Sequence, residues 1–155
     1  VKGQWPSNKK VIDLPLQRYL IPNGAGEGER RVRVVAPDHP DAMPSLTLVK
    51  VRAASRDLVP GVRPYSLLEI TIKTGRTHQI RVHLAGAGHA IVGDDKYGDF
   101  EQNKQLQKLG LKRMLLHAWQ LKFQHPVSAR PVTVKAPLPA ALQQFIDSLQ
   151  PPIQV

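Results

Sequence analysis

The sequence predicts an α+β fold in which strands dominate and helices pack on the sheet. Three observations predict it. Up to Ile72 apolar and β-branched residues recur in short runs cut by glycine, proline and aspartate; after Arg76 the spacing becomes helical; and the carboxy-terminal stretch carries an amphipathic helical pattern. At 155 residues the chain has the size of one domain and can bury one core.

The elements follow in order. Arg31-Val32-Arg33-Val34 alternates basic and apolar side chains, and Leu46-Thr47-Leu48-Val49-Lys50-Val51 is rich in β-branched residues, so each predicts a strand. Residues 23–28 and 37–41, rich in glycine and proline respectively, predict loops that precede and separate them. Residues 59–64 predict a further loop, leading into a strand over 65–72 with Leu68, Ile70 and Ile72 on one face. Beyond Lys73-Thr74-Gly75-Arg76 the period changes. Thr77 is suited to cap a helix, Ile80 and Leu84 lie four apart, and Gly86 and Gly88 end the helix. Residues 115–124 alternate as a long strand, with His117 and Trp119 expected in the core. A turn over 125–131 leads to Val132-Thr133-Val134, which predicts a hairpin. Pro139 starts a last helix whose apolar face is Leu142, Phe145, Ile146 and Leu149.

Composition narrows function. The 22 Lys and Arg against 12 Asp and Glu give a net charge of +10, and no carboxylate occurs in residues 70–93 or 102–146. Such windows attract a polyanion through phosphate neutralisation and counterion release, which makes nucleic acid the leading partner class. A solvated basic face serving solubility is the bland alternative. With no cysteine there are no disulfides, thiolate nucleophiles or cysteine-bound zinc. No run approaches the roughly 20 apolar residues of a membrane span, so a soluble, cytoplasmic protein without a membrane partner is expected. Val1 followed by Lys2-Gly3-Gln4 carries the expectation that sequence precedes it.

The densest constellation is Thr74-Gly75-Arg76-Thr77-His78-Gln79-Ile80-Arg81-Val82-His83, a glycine turn leading into a helix that bears cations, amides and imidazoles. Backbone N–H groups at the helix start and two guanidiniums suit a phosphate or carboxylate. An ordinary exposed basic helix is the equal alternative. His78 and His83 are five apart with no glutamate beside them, so the helical zinc pairing fails. Asp94 and Asp95 are adjacent carboxylates whose expected role is to form a turn, and Tyr97 is expected to pack.

Residues 74–84 resemble a signature of the RluA-type pseudouridine synthases. Further similarities follow in order: Gly88-His89-Ala90-Ile91, Gly93-Asp94-Asp95-Lys96-Tyr97-Gly98, Arg113-Met114-Leu115-Leu116-His117-Ala118, His125-Pro126 and Ala136-Pro137-Leu138-Pro139. Val1-Lys2-Gly3 is similar to the end of a strand just past the family's active-site tyrosine. The resemblance spans essentially the whole chain and looks closest to enzymes acting on large-subunit ribosomal RNA. It implies a mixed, mainly antiparallel sheet with flanking helices, of which residues 1–155 would be the carboxy-terminal portion of one catalytic domain. It also implies isomerisation of uridine to pseudouridine in RNA, with no metal or cofactor.

The family's catalytic aspartate belongs to an Arg-Leu-Asp segment followed by Thr-Ser-Gly, and nothing here matches it. Arg56-Asp57-Leu58 is the nearest imitation, and Asp57 is rejected because it leads into Val59-Pro60-Gly61. The resemblance assigns Arg81 to the arginine that pairs with that aspartate, Leu116 to an apolar wall of the uracil pocket, and Arg76, His78 and Gln79 to RNA contact. A core position is the ordinary alternative for Leu116. The expectations are that the aspartate lies upstream, that Arg81 has no suitable carboxylate to hold within this chain, and that the isolated chain is inactive. A non-catalytic RNA-binding protein or fragment is the rival reading.

Overall fold

The computed structural model describes residues 1–24, 26–55, 64–148 and 152–154, the last three as backbone. The architecture is α+β. In chain order the elements are β1 Val11–Ile12, β2 Leu16–Ile21, β3 Glu29–Val34, β4 Thr47–Ser55, β5 Ser66–Ile72, α1 Gln79–Gly86, α2 Phe100–Lys108, β6 Gln120–Gln124, β7 Pro131–Lys135, α3 Ala140–Ser148 and β8 Pro152–Gln154. Strand β4 is the centre of the main sheet. It pairs antiparallel with β5 along one edge, while β1 (Val11 opposite Leu48) and β8 (Ile153 opposite Ala54) share the other. The β4–β5 register shifts between Val51 and Ala53. Two antiparallel hairpins, β2–β3 and β6–β7, complete the strands.

Helix α1 positions the site because it is buried on two sides. Leu84 enters the cluster of Trp5, Ile12, Val49 and Ile91 against the main sheet, while Val82 enters the cluster of Leu16 and Val32 under the β2–β3 hairpin. Burying each such side chain contributes about 1.5–3 kcal/mol, so the two contacts tie helix, sheet and hairpin together. The helix ends as its glycines predict. Gly88, at φ 84°, donates to Ala85 O and His89 donates to Leu84 O, the paired bonds of a left-handed helix terminus. A third cluster, Tyr65, Val92, Leu106 and Leu111, lies under α2 and receives the edge of Phe145 from α3.

Three expectations need correction, and one element was not foreseen. The residue preceding α1 is His78 rather than Thr77, in left-handed conformation (φ 53°) and without a side-chain cap. Strand β6 begins at Gln120, not Leu115, because the preceding segment spends its backbone elsewhere: Leu115 N–H donates to Val92 O. Trp119 is exposed and His117 only half-buried, so neither lies in the core. Helix α2 was not anticipated; Asp99 caps it by accepting from Gln102 N–H at 3.1 Å, and only Asn103 and Leu106 face inward. Asp57, residues 59–63 of the predicted loop, and Leu149 lie outside the described residues. No described helix is long and apolar enough to cross a membrane.

Candidate functional site

Helix α1 is anchored by a chain of buried hydrogen bonds. The Thr74 hydroxyl donates to Gln79 Oε1 (2.7 Å), which also accepts Arg76 N–H. Gln79 Nε2 donates to Leu46 O (3.0 Å) and Thr47 Oγ1 (2.9 Å). His83 bridges Thr47 Oγ1 (2.8 Å) and Leu14 O (2.7 Å). A carbonyl can only accept, so His83 Nε2 carries the proton and Nδ1 accepts from the Thr47 hydroxyl. Burial keeps this imidazole neutral by lowering its pKa, against the opposing pull of Leu14 O. Gln79 is therefore a buried anchor with its amide fully committed, which corrects its expected role as an RNA contact.

On the next helical turn, Arg81 meets the 93–98 turn. Its Nε donates to Asp94 Oδ2 (2.8 Å) and its NH2 to Asp94 Oδ1 (2.7 Å), with Asp95 Oδ1 a further 3.3 Å partner. Arg81 thus holds a carboxylate within this chain, though Asp94 belongs to the 93–98 turn and not to an Arg-Leu-Asp segment. Asp94 is also the turn former expected of it, since Oδ1 accepts N–H from Lys96 (2.9 Å) and Tyr97 (3.0 Å). Its side chain is 1 % exposed. Burial pushes this carboxyl up, but Arg81 and the two N–H groups outweigh it and hold the group ionised, below its ordinary pKa. Asp94 in turn raises the pKa of Arg81.

The turn is locked at its amino-terminal end. Asn103 of α2 accepts Gly93 N–H (2.9 Å) and donates to Asp94 O (2.8 Å). Gly93 sits at φ 78°, where a Cβ would meet Arg113 O at 2.3 Å. Only glycine fits there.

Tyr97 gathers the remaining groups. Arg81 lies over its ring at 5.1 Å and Arg31 of β3 at 5.7 Å. The Tyr97 hydroxyl accepts Val32 N–H (3.0 Å) and contacts His78 Nδ1 (2.8 Å). Burial first, then Arg81 and Lys96, lower the His78 pKa and favour the neutral imidazole. Tyr97 therefore bonds as well as packs. The left-handed backbone of His78 is the strained conformation that clusters at functional sites.

The other predicted residues are more dispersed. Arg76 is exposed, with Nε donating to Pro44 O (3.1 Å), and Leu116 is half-buried against the first core cluster. A cleft of about 340 Å³ opens beside Asp95, with Lys112 and Arg113 in its lining. Among the described residues no group of three or more His, Asp or Glu side chains could hold a metal ion. Sequence reasoning missed the Arg81–Asp94 pair, the Asn103 brace and the Thr47–His83 bond.

This geometry can hold an anion against a fixed cation beside a neutral imidazole, and comparison with known proteins gives it a context. A model of the RNA pseudouridylate synthase family matches residues 7–86, more than half of the chain and inclusive of Arg81. The chain belongs to this family. It is 37% identical over 150 residues to the ribosomal large subunit pseudouridine synthase C of Pasteurella multocida, covering 97% of this chain and 41% of that protein. For the protein of the same description from Salmonella typhimurium the identity is 39% over 152 residues, covering 97% and 43%. The chain thus spans about two fifths of the length of these relatives. Among solved structures it resembles human RNA Pseudouridylate Synthase Domain Containing 1, with TM-score 0.66, 24% identity, and coverage of 99% of this chain and 64% of that one. Human RNA Pseudouridylate Synthase Domain Containing 4 gives TM-score 0.61 and 23% identity, covering 90% and 56%. These two likenesses establish the synthase fold; residues 93–98, which supply Asp94, lie outside the matched family span.

Proposed function

We propose that this chain is the carboxy-terminal portion of a single catalytic domain that isomerises uridine to pseudouridine in RNA, with large-subunit ribosomal RNA as substrate. The carrying observation is Arg81, clamped along one edge by Asp94 with its NH1 nitrogen unpartnered among the described residues. That donor suits a second carboxylate, the aspartate that the domain supplies from upstream of this chain. An adjacent guanidinium favours the ionised carboxylate, the form needed for attack, and fixes its direction. The base is flipped from its stack, the C1′–N1 bond breaks, uracil turns, and a C1′–C5 bond forms; the hydrogen leaves C5 and N1 gains one, so the change is an isomerisation with no cofactor. Flipping costs a few kcal/mol, which cationic contacts to phosphate offset.

Within that reading Leu116 supplies an apolar surface to the uracil. Arg76, Lys112 and Arg113 contact phosphates, and His78 presents its Nε2 edge to the RNA. Gln79 is left out because its amide is spent in the core. The isolated chain binds RNA without converting it, and the cytoplasm is its compartment.

The test uses the domain completed by its upstream portion, with RNA labelled with tritium at uridine C5. Arg81→Ala is expected to abolish tritium release while changing RNA affinity less than about twofold, since one buried cation adds little to a many-phosphate interface. Near-normal release by this variant refutes the role of Arg81. Absence of release from the unsubstituted domain on all ribosomal RNA fragments refutes the function.

A further inference from the structure

We propose that Asp94 is the positioning residue of the site: it sets which nitrogen of Arg81 faces the attacking carboxylate, and its charge tempers the arginine's field there. The inference rests on the synthase reading above.

A guanidinium has five N–H groups in one plane. Asp94 takes Nε–H and one NH2 hydrogen, Asp95 is placed to take the other, and the Tyr97 ring lies against the group at 5.1 Å. With that edge held, only the two NH1 hydrogens lack acceptors among the described residues. Rotation about the chain of Arg81 would have to break the bidentate pair, so the plane and the open edge are both set before any substrate arrives.

A turn former alone does not need this much. Asp94 Oδ1 by itself closes the turn through Lys96 and Tyr97 N–H, whereas Oδ2 has Arg81 Nε as its partner. Asparagine could satisfy the turn as well, since its carbonyl oxygen replaces Oδ1. The second oxygen and the negative charge serve Arg81. The investment in holding Asp94 still points the same way: its side chain is 1 % exposed and its main-chain carbonyl is fastened by Asn103 across to α2. Burying a carboxylate this fully is costly without a paired cation. Electrostatically, Asp94 and Asp95 offset part of the Arg81 charge, so a third carboxylate at NH1 feels a weaker cation than a lone arginine would supply.

The variants are Asp94→Asn and Asp95→Asn in the completed domain. Asp94→Asn places an amide N–H against Arg81 Nε–H and frees the guanidinium. The expected result is a kcat about 30-fold lower with KM for RNA within about twofold, because orientation matters to the reacting state rather than to RNA binding. The acid limb of kcat moves to lower pH by about half a unit, because loss of a nearby negative charge favours ionisation of the attacking carboxylate. Asp95→Asn, at an exposed carboxylate, shifts the limb in the same direction by less and leaves thermal stability unchanged, so the inference is testable even where Asp94→Asn folds poorly. Unchanged kcat and an unmoved acid limb in both variants overturn it, as does a loss confined to thermal stability.

Nitrogen-15 NMR of the Arg81 Nε–H separates this inference from the synthase reading. Slow solvent exchange in the unsubstituted chain that becomes fast in Asp94→Asn supports the clamp even if no pseudouridine forms. Fast exchange in both overturns the clamp even if the domain is fully active.

Discussion

Replacing Thr47 by valine is the most informative single change to the scaffold, because it keeps the volume and removes one oxygen. Thr47 is fully buried, and its hydroxyl accepts from Gln79 Nε2 at 2.9 Å and donates to His83 Nδ1 at 2.8 Å. Thr47→Val strands one Gln79 hydrogen and one imidazole lone pair in the interior. Each buried unsatisfied group costs about 1–3 kcal/mol, so the sum is about 2–4 kcal/mol once Gln79 relaxes on its remaining bond to Leu46 O. Against a total stability of about 5–15 kcal/mol that is a large fraction. Urea unfolding followed by circular dichroism reads it as a lower midpoint at unchanged m. A loss below about 0.5 kcal/mol refutes the claim that this chain of bonds anchors α1. His83 adds a pH signature with a definite sign. Its folded pKa is depressed, so its unfolded form, near 6.5, takes up a proton first as pH falls. Stability is full above about pH 6.5 and declines below it, toward the folded-state pKa, and His83→Gln flattens that decline.

Gly93→Ala is expected to cost more than about 2 kcal/mol, since the left-handed backbone and the 2.3 Å approach to Arg113 O both oppose a Cβ. Gly75→Ala, where nothing lies within 4 Å of the added carbon, changes the melting temperature by no more than an ordinary surface substitution; equal effects at the two glycines refute the geometry.

Strands β3 and β4 were legible because their side chains alternate, in large part, between a more buried and a more open face, the signal that period-2 reading detects, and β5 through its alternating apolar residues Leu68, Ile70 and Ile72. The hairpin over 120–135 and helix α3 were legible for similar reasons, through a turn cluster and a spacing of three and four. Helix α2 was not, because only Asn103 and Leu106 turn inward and the other seven residues are outside the core, leaving no apolar stripe to count. Its one readable sign was Asp99 as a cap. At the site, motif resemblance singled out Arg81 but did not reveal Asp94 beside it, since Asp94 reaches it only through a tertiary turn thirteen residues later. Gln79 misled in the opposite way. An amide within a basic motif reads as surface, yet its bonds to Leu46 and Thr47 place it inside.

The strand order of the main sheet bears on how the chain is made. Strand β4 pairs along one edge with β1 and with β8, and the β8 contact joins positions roughly 100 residues apart. Closing so long a loop is slow compared with forming the β2–β3 hairpin or α1. During synthesis the stretch of β4 from Ala53 to Ser55 therefore waits, with hydrogen-bonding groups unpaired on that edge, until the ribosome has released β8. Over that interval it is open to pairing with the same stretch of a neighbouring nascent chain. Crowded polysomes are where the fold is most exposed to misassembly.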